Sequence, residues 1–191
     1  MVAMAYETAW PAAGQPFTVD DLDRLPDDGR RYELLDGVLI VSPRPTTVHQ
    51  LAATLLTTHL VNACPGQLYV IAEPAVQLTD RTEFDPDIVV VRREDVGGAK
   101  FWTPPLLAVE LRSPSTAIVD RNVKLAAYEK FGVASYWIFD PNPDRPEFTI
   151  FELRDGRYQQ TAQASGANAL RIERPFPVEL VPAELTLPPR P

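Results

Sequence analysis

Two patterns of apolar residues run along this chain. Apolar runs of four to six residues are typical of buried strands, and apolar residues three and four positions apart are typical of helices. The helical spacing predicts helices from 18 to 25, from 47 to about 62 and from about 119 to 131. The short apolar runs and their flanking turn residues predict strands at 31–35, 38–41, 68–72, 75–78, 88–91, 106–111, 135–139, 148–153 and 158–161.

Two capping boxes indicate where helices begin. In this motif a threonine side chain caps the first turn, and an acid or amide follows three residues later. Thr18 with Asp21 fits the motif, and so does Thr47 with Gln50. The second box places His49 at the second position of its helix, where the helix dipole disfavours added positive charge and favours a neutral imidazole.

The order of the elements indicates the fold class. Asp-Gly pairs at 36–37 and 155–156 predict a β-hairpin near each end of the chain. Helix, hairpin, helix, several strands, helix, strand and hairpin then follow one another, which describes a mixed sheet with helices packed on it, an α/β or α+β fold. We expect a single domain over 18–185, with a lead-in at 1–17 and a proline-rich tail at 186–191.

Composition narrows the classes of protein. The 191 residues carry a net charge of −8, and the acidic excess lies in the first half of the chain. No basic stripe is visible, which argues against a plain DNA-binding module but less strongly against a nuclease with a local basic cluster. With one cysteine, no signal-peptide pattern and no apolar stretch long enough for a bilayer, the chain is expected to be cytoplasmic and to have no membrane partner.

Three residues suggest chemistry. Asp87 opens one apolar strand, Glu110 ends another, and Lys124 follows on a predicted helix. Two carboxylates and an amine at the ends of neighbouring strands suit metal-assisted hydrolysis of a phosphate ester. The alternative is that the acids are solvent-facing strand ends, and that Lys124 lies on a solvated helix face with Asp120 and Tyr128, four residues to either side.

Several segments together resemble a known family. They are RYELLDG at 31–37, the helix start at His49, FDPDI at 84–88, VELRSPST at 109–116, Asp120 with Lys124 and Tyr128, and GV at 132–133 with YWI at 136–138. This combination resembles the Uma-type endonuclease-like family, which belongs to the PD-(D/E)xK nuclease superfamily with the restriction-endonuclease-like fold. The resemblance covers about residues 18–185.

The resemblance implies roles for these residues. Asp87 and Glu110 would bind Mg²⁺ or Mn²⁺, with the backbone carbonyl of Leu111 as a third ligand. Lys124 matches the family lysine, which lies on the helix rather than the strand. Arg112 stands where the superfamily usually has its lysine. Because its pKa is too high for a general base, arginine could only grip a phosphate or pair with an acid there.

Four further residues have a functional and a structural interpretation. Glu33 could be an additional catalytic acid that serves the metal site or positions water, or an exposed strand acid paired with a neighbouring arginine. His49 and Ser113 could contact substrate phosphate, although a surface histidine and a helix cap are the simpler roles. Asp85 could be a further ligand, but a loop acid is the simpler interpretation.

The leading hypothesis is a Mg²⁺-dependent DNA endonuclease. The alternatives are a catalytically inactive nuclease-like binding or scaffold protein and a hydrolase of a small phosphodiester. A homodimer would suit cleavage of both DNA strands, and we expect Tyr136 and Trp137 to be core residues or to contact the partner. The chain has no signature of a nucleophilic serine site or of a phosphate-binding P-loop.

Overall fold

The structure is a computed structural model that describes residue 11, residues 14–112 and residues 119–187, except for the side chains of residues 119–121. The helices are α1 (Val19–Leu22), α2 (Thr47–Ala63) and α3 (Leu125–Phe131). The strands are β1 (Arg31–Leu35), β2 (Val38–Ser42), β3 (Leu68–Ala72), β4 (Val76–Thr79), β5 (Thr82–Phe84), β6 (Ile88–Arg92), β7 (Leu107–Leu111), β8 (Ser135–Asp140), β9 (Glu147–Arg154), β10 (Arg157–Ser165), β11 (Leu170–Ile172) and β12 (Val178–Leu180). A π-helical segment (Val119–Lys124) precedes α3, and short 3₁₀ turns lie at Arg93–Asp95 and Pro182–Leu185.

The central sheet has six strands in the order β10-β9-β8-β7-β6-β3. Strands β7 and β8 are parallel, and the other neighbouring pairs are antiparallel. Parallel neighbours need a crossover connection, and α3 lies in the connection between them. This mixed sheet with helices confirms the predicted α+β fold class.

Both faces of the central sheet are covered. Leu107 and Val109 of β7 belong to a core that includes Leu56 of α2. Ala108, between them, belongs to a second core with Tyr128 of α3. Burial on both faces explains why β7 reads as an unbroken apolar run in the sequence.

A second sheet of four strands, in the order β2-β1-β5-β4, lies on the α3 side of the central sheet. Phe84 of β5 packs in the same core as Ala108 and Tyr128. The hairpin that starts this sheet turns at Asp36 and Gly37, whose φ angles of 46° and 82° are both positive, as a two-residue type I′ turn requires. The predicted hairpins at 36–37 and 155–156 are both confirmed.

Several local predictions differ from the structure, including the following three. The second helix is capped by Thr46 rather than Thr47, because the Thr46 hydroxyl accepts the backbone N–H of His49, which makes His49 the third helical residue. Strand β5 was not predicted, since three residues with one charged side chain carry too little pattern. The helix predicted from about 119 begins as a π-helix and becomes α-helical at Leu125.

Tyr136 and Trp137 are both 0% exposed, in the middle of β8. Tyr136 packs against Tyr128, and the Trp137 indole N–H donates to the Ser135 hydroxyl. The core role predicted for them is correct, and the suggested dimer contact is wrong because neither side chain reaches the surface. Within the described part of the chain, no helix has the length and apolarity needed to cross a bilayer.

Candidate active site

Asp87 and Glu110 lie on the same face of the central sheet. Ile88 of β6 pairs with Val109 of antiparallel β7, so continuing this register by one residue places Asp87 opposite Glu110. Directly opposed residues of antiparallel strands project to the same face, about 5 Å apart at Cβ. This is the face of Ala108 and Tyr128, between the central sheet and the second sheet.

Lys124 joins two of the acids. Its Nζ donates to Glu33 Oε1 at 2.7 Å and to Glu110 Oε1 at 2.9 Å. Tyr128, one helical turn later, donates its hydroxyl to the same Glu110 oxygen at 3.1 Å. The three charged residues are at most 3% exposed. The prediction that Lys124 and Tyr128 share a helix face is confirmed, while the side chain of Asp120 lies outside the described residues.

Glu33 is therefore not the exposed strand acid of the alternative interpretation. It projects from β1 of the second sheet, and its Oε1 accepts both the Lys124 ammonium and the backbone N–H of Asp85. A carboxylate buried to this degree needs such partners to offset its lost hydration. Two sheets and one helix thus each contribute a charged group to a single cluster.

Asp87 has a different set of partners. Its Oδ2 accepts the Leu111 backbone N–H at 2.7 Å, and its Oδ1 lies 3.1 Å from Arg31 Nη2. His49 Nε2 lies 3.4 Å from Asp87 Oδ2 and 3.2 Å from the Leu111 carbonyl oxygen. His49, which was expected to contact substrate phosphate, thus lies against Asp87 and the Leu111 carbonyl, two of the three groups expected to bind metal.

These contacts shift two pKa values in opposite directions. Burial alone would raise the pKa of Asp87, but the hydrogen bond from His49 and the charge of Arg31 outweigh burial and lower it. Burial alone would lower the pKa of His49, but Asp87 and the Leu111 carbonyl outweigh burial and raise it. The contact with Asp87 therefore favours the charged imidazole and opposes the helix dipole, which favours the neutral form.

Asp85 is a buried acid whose pKa is raised to near neutral pH. Its burial and the neighbouring Glu33 carboxylate raise the pKa of Asp85 to about 7. Its backbone N–H contacts Glu33 directly. Asp85 therefore belongs to the acidic cluster rather than to a solvated loop, and its proton can exchange near physiological pH.

Arg112 points to another acid. Its Nη1 donates to Asp140 Oδ2 at 3.2 Å, and its backbone N–H donates to the Phe139 carbonyl. Its Nε is buried and has no acceptor among the described residues. Of the two roles considered for Arg112, the structure contains the ion pair. Ser113, which was also predicted to contact phosphate, lies outside the described residues.

Comparison with known proteins identifies the family. The sequence profile of Uma2, described as "Putative restriction endonuclease", matches residues 19–188. The chain belongs to the Uma2 family. No curated protein matches it.

A solved structure shares the fold. It is a protein described as "a putative nuclease belonging to DUF820" from Anabaena variabilis, with a TM-score of 0.67 and 17% sequence identity. The similarity covers 91% of this chain and 95% of that one. At this identity the match shows the fold alone, and it confirms the restriction-endonuclease-like architecture expected from the Uma2 resemblance.

The donor set of this Uma2 site suits a hard cation. Asp87, Glu110 and the Leu111 carbonyl offer oxygen atoms, and Mg²⁺ binds proteins through one or two carboxylates while keeping several waters. Across the described ranges, no three His, Cys, Asp or Glu side chains converge tightly enough to hold a metal ion by themselves. The residues fit a cation that keeps part of its water shell, and they do not form a closed all-protein cage.

An open cavity of about 510 Å³ gives access to the site. Asp87 and His49 line it, together with one face of α2 and with Ala72 and Glu73 at the end of β3. Its volume lies within the range of about 300–1,000 Å³ found for ligand pockets. Asp87 is therefore reached through this cavity, from the α2 side.

Sequence reasoning missed Arg31 as a residue of this site. Arg31 and Glu33 are two positions apart in β1, so both side chains project to the same face of the strand. If Glu33 belongs to the site, this two-residue spacing indicates that Arg31 faces the site as well. The approach of β1 to Asp87 was not visible in the sequence, because 56 residues separate Arg31 from that acid.

Proposed function

We propose that this protein is a divalent-metal-dependent endonuclease that hydrolyses DNA phosphodiester bonds. The observation that supports the proposal is the buried bridge from Lys124 to Glu33 and Glu110, on the sheet face that also carries Asp87. Buried charged groups rarely assemble for stability alone, since apolar residues of equal volume would serve as well or better. Membership of a family described as "Putative restriction endonuclease" agrees with this function.

Asp87, Glu110 and the Leu111 carbonyl would hold Mg²⁺ or Mn²⁺. When bound, such a cation lowers the pKa of a water molecule and neutralises negative charge on the phosphate. The protein contributes the position of these oxygens. Asp87 Oδ2 is held by the Leu111 backbone N–H, and Glu110 Oε1 is held by Lys124 and Tyr128.

Lys124 and Glu33 would act on the attacking water and the phosphate. Lys124 Nζ is a donor that can orient the water or a non-bridging phosphate oxygen. Glu33 lies 2.7 Å from Lys124 Nζ and can accept a proton from the water. Their burial excludes bulk solvent, which strengthens each of these electrostatic interactions.

The test is cleavage of supercoiled and linear DNA with Mg²⁺ or Mn²⁺ by the wild type, Asp87→Asn and Glu110→Gln. Both variants should lose about a thousandfold or more in rate, since metal activation is worth several kcal/mol and about 1.4 kcal/mol corresponds to a factor of ten. Glu152→Gln is the matched control. This acid is also buried, but it pairs with Arg154 in β9, away from the site.

Calorimetric titration with Mg²⁺ and Mn²⁺ separates the other hypotheses. A nuclease-like scaffold would show no metal affinity that depends on Asp87 and Glu110. A hydrolase of small phosphodiesters would bind metal and cleave an activated diester while leaving DNA intact. Cleavage of DNA at the wild-type rate by both variants would refute the proposed mechanism.

A further inference from the structure

Arg31 contacts Asp87 and feels the charges of Glu33 and Glu110. Its side chain is 23% exposed, and its Nη2 lies 3.1 Å from Asp87 Oδ1 and 3.8 Å from Glu73 Oε1. Burial alone would lower the pKa of Arg31, but the charges of Asp87, Glu110 and Glu33 outweigh burial and raise it. One guanidinium thus interacts with both expected metal ligands and with Glu33.

Most of the Arg31 guanidinium has no hydrogen-bond acceptor in the part of the chain that the structure describes. Among the described residues, Nη2 is the Arg31 nitrogen with a hydrogen-bond acceptor, and that acceptor is Asp87. A guanidinium has five N–H donors in a planar fork that matches two oxygens of a phosphate. The partial exposure of Arg31 lets the remaining donors reach a ligand that enters from solvent.

The positive charge of Arg31 also stands close to where a divalent cation would bind. Two cations on one carboxylate repel each other, and the repulsion is strong where water is excluded. A metal ion at Asp87 would therefore weaken the contact between Arg31 and Oδ1. The guanidinium would then have more of its donors available for another anion.

We propose that Arg31 balances the charge of the carboxylates before metal binds, and that metal binding redirects its guanidinium to a phosphate of the substrate. This inference rests on the proposed nuclease function. It makes Arg31 a substrate-binding residue that competes with the metal ion. Removal of the Arg31 side chain should therefore strengthen metal binding and weaken substrate binding.

The first measurement is calorimetric titration of the metal-free protein with Mn²⁺. Arg31→Met keeps the aliphatic length of the side chain and removes its charge, so Mn²⁺ should bind at least about tenfold more tightly than in the control. The control is Arg30→Met, which changes the net charge equally. Arg30 is exposed and pairs with Asp28 rather than with the cluster.

The second measurement is the affinity for a short DNA duplex in Ca²⁺, which also binds oxygen ligands. Arg31→Met should bind the duplex about tenfold more weakly than Arg30→Met, because a bidentate contact with phosphate is lost. Arg31→Lys keeps the charge without the fork. Its Mn²⁺ affinity should stay near that of the wild type, and its duplex affinity should lie between those of the wild type and Arg31→Met.

The outcomes are distinct. If the wild type binds Mn²⁺ and Arg31→Met binds it no more tightly than Arg30→Met, competition is refuted while the proposed function stands. A residue that merely supports Asp87 would give this result, or weaker binding. Unchanged duplex affinity in Arg31→Met would refute the phosphate contact. A wild type without affinity for Mn²⁺ would overturn both the inference and the proposed function.

Discussion

Replacing Lys124 by methionine tests the charge balance of the site most directly. Methionine fills a similar volume, so the change removes the ammonium with little change in packing. Glu33 and Glu110, which are 3% and 2% exposed, would then lose a shared cation at 2.7 and 2.9 Å. The Tyr128 hydroxyl would remain as a partner of Glu110.

The expected loss of stability is large. Removing one partner of a buried ion pair costs about 3–5 kcal/mol, because the remaining charge stays buried. For a domain of this size, about 1 kcal/mol corresponds to roughly 2–4 °C in melting temperature. Lys124→Met should therefore melt roughly 6–20 °C below the wild type in metal-free buffer, as measured by calorimetry or circular dichroism.

Metal ions should reverse part of this loss. A ligand that binds only the native state stabilises it by about 2.7 kcal/mol at 100 times its dissociation constant. Without the competing ammonium, Mn²⁺ should raise the melting temperature of Lys124→Met more than that of the wild type. Lys100→Met is the control, because Lys100 also bridges two acids, Asp23 and Glu83, at 2.6 and 2.8 Å.

The control should lose less stability, since the Asp23 side chain is half exposed and water can hydrate it. Mn²⁺ should give Lys100→Met no additional gain over the wild type. A loss below about 1 kcal/mol for Lys124→Met would refute the argument that the buried carboxylates depend on this amine. If Mn²⁺ raised the melting temperatures of Lys124→Met and Lys100→Met equally, the metal would be acting at a place other than the Lys124 site.

Three further predictions follow from single contacts. Burial raises the pKa of Asp85 in the folded protein from its usual value near 4 to about 7, so stability is lost as the pH rises from about 4 to 7. Asp85→Asn should equal the wild type at pH 4 and exceed it by about 4 kcal/mol at pH 8, as measured by urea denaturation, because each unit of pKa shift is worth about 1.4 kcal/mol. Tyr128→Phe should lose about 1.5 kcal/mol or more, because a hydrogen bond to buried Glu110 disappears, and an unchanged denaturation midpoint would contradict that bond. Thr46→Ala should cost about 1 kcal/mol and Thr47→Ala much less, whereas the reverse order would restore the helix start predicted from sequence.

The parts of the fold that the sequence predicted correctly are those that depend on residues close together in the chain. The Asp36-Gly37 turn requires two positive φ angles, which this pair adopts readily, so the hairpin was visible in the sequence. The apolar run that ends at Glu110 indicated a central strand for a similarly local reason. Asp87, Glu110 and Lys124 were singled out because two acids at the ends of neighbouring strands with a lysine nearby suit metal-assisted hydrolysis, and because their combination with other segments resembles one family.

The missed features depend on contacts between distant segments. Thr46 and Thr47 are both plausible caps, and only the approach of the chain decides which hydroxyl meets the His49 N–H. The raised pKa of His49 depends on its contact with Asp87, which lies outside the helix that carries His49.

The sequence by itself therefore determined which groups are available, on which kinds of element and on which faces of their strands. The tertiary structure decided their partners: it brings β1 against the ends of β6 and β7, so that Arg31 meets Asp87 and Glu33 meets Lys124. The physical reason is that side-chain periodicity is a local property of the backbone, whereas a buried charge takes its partner and its pKa from whatever the fold packs beside it.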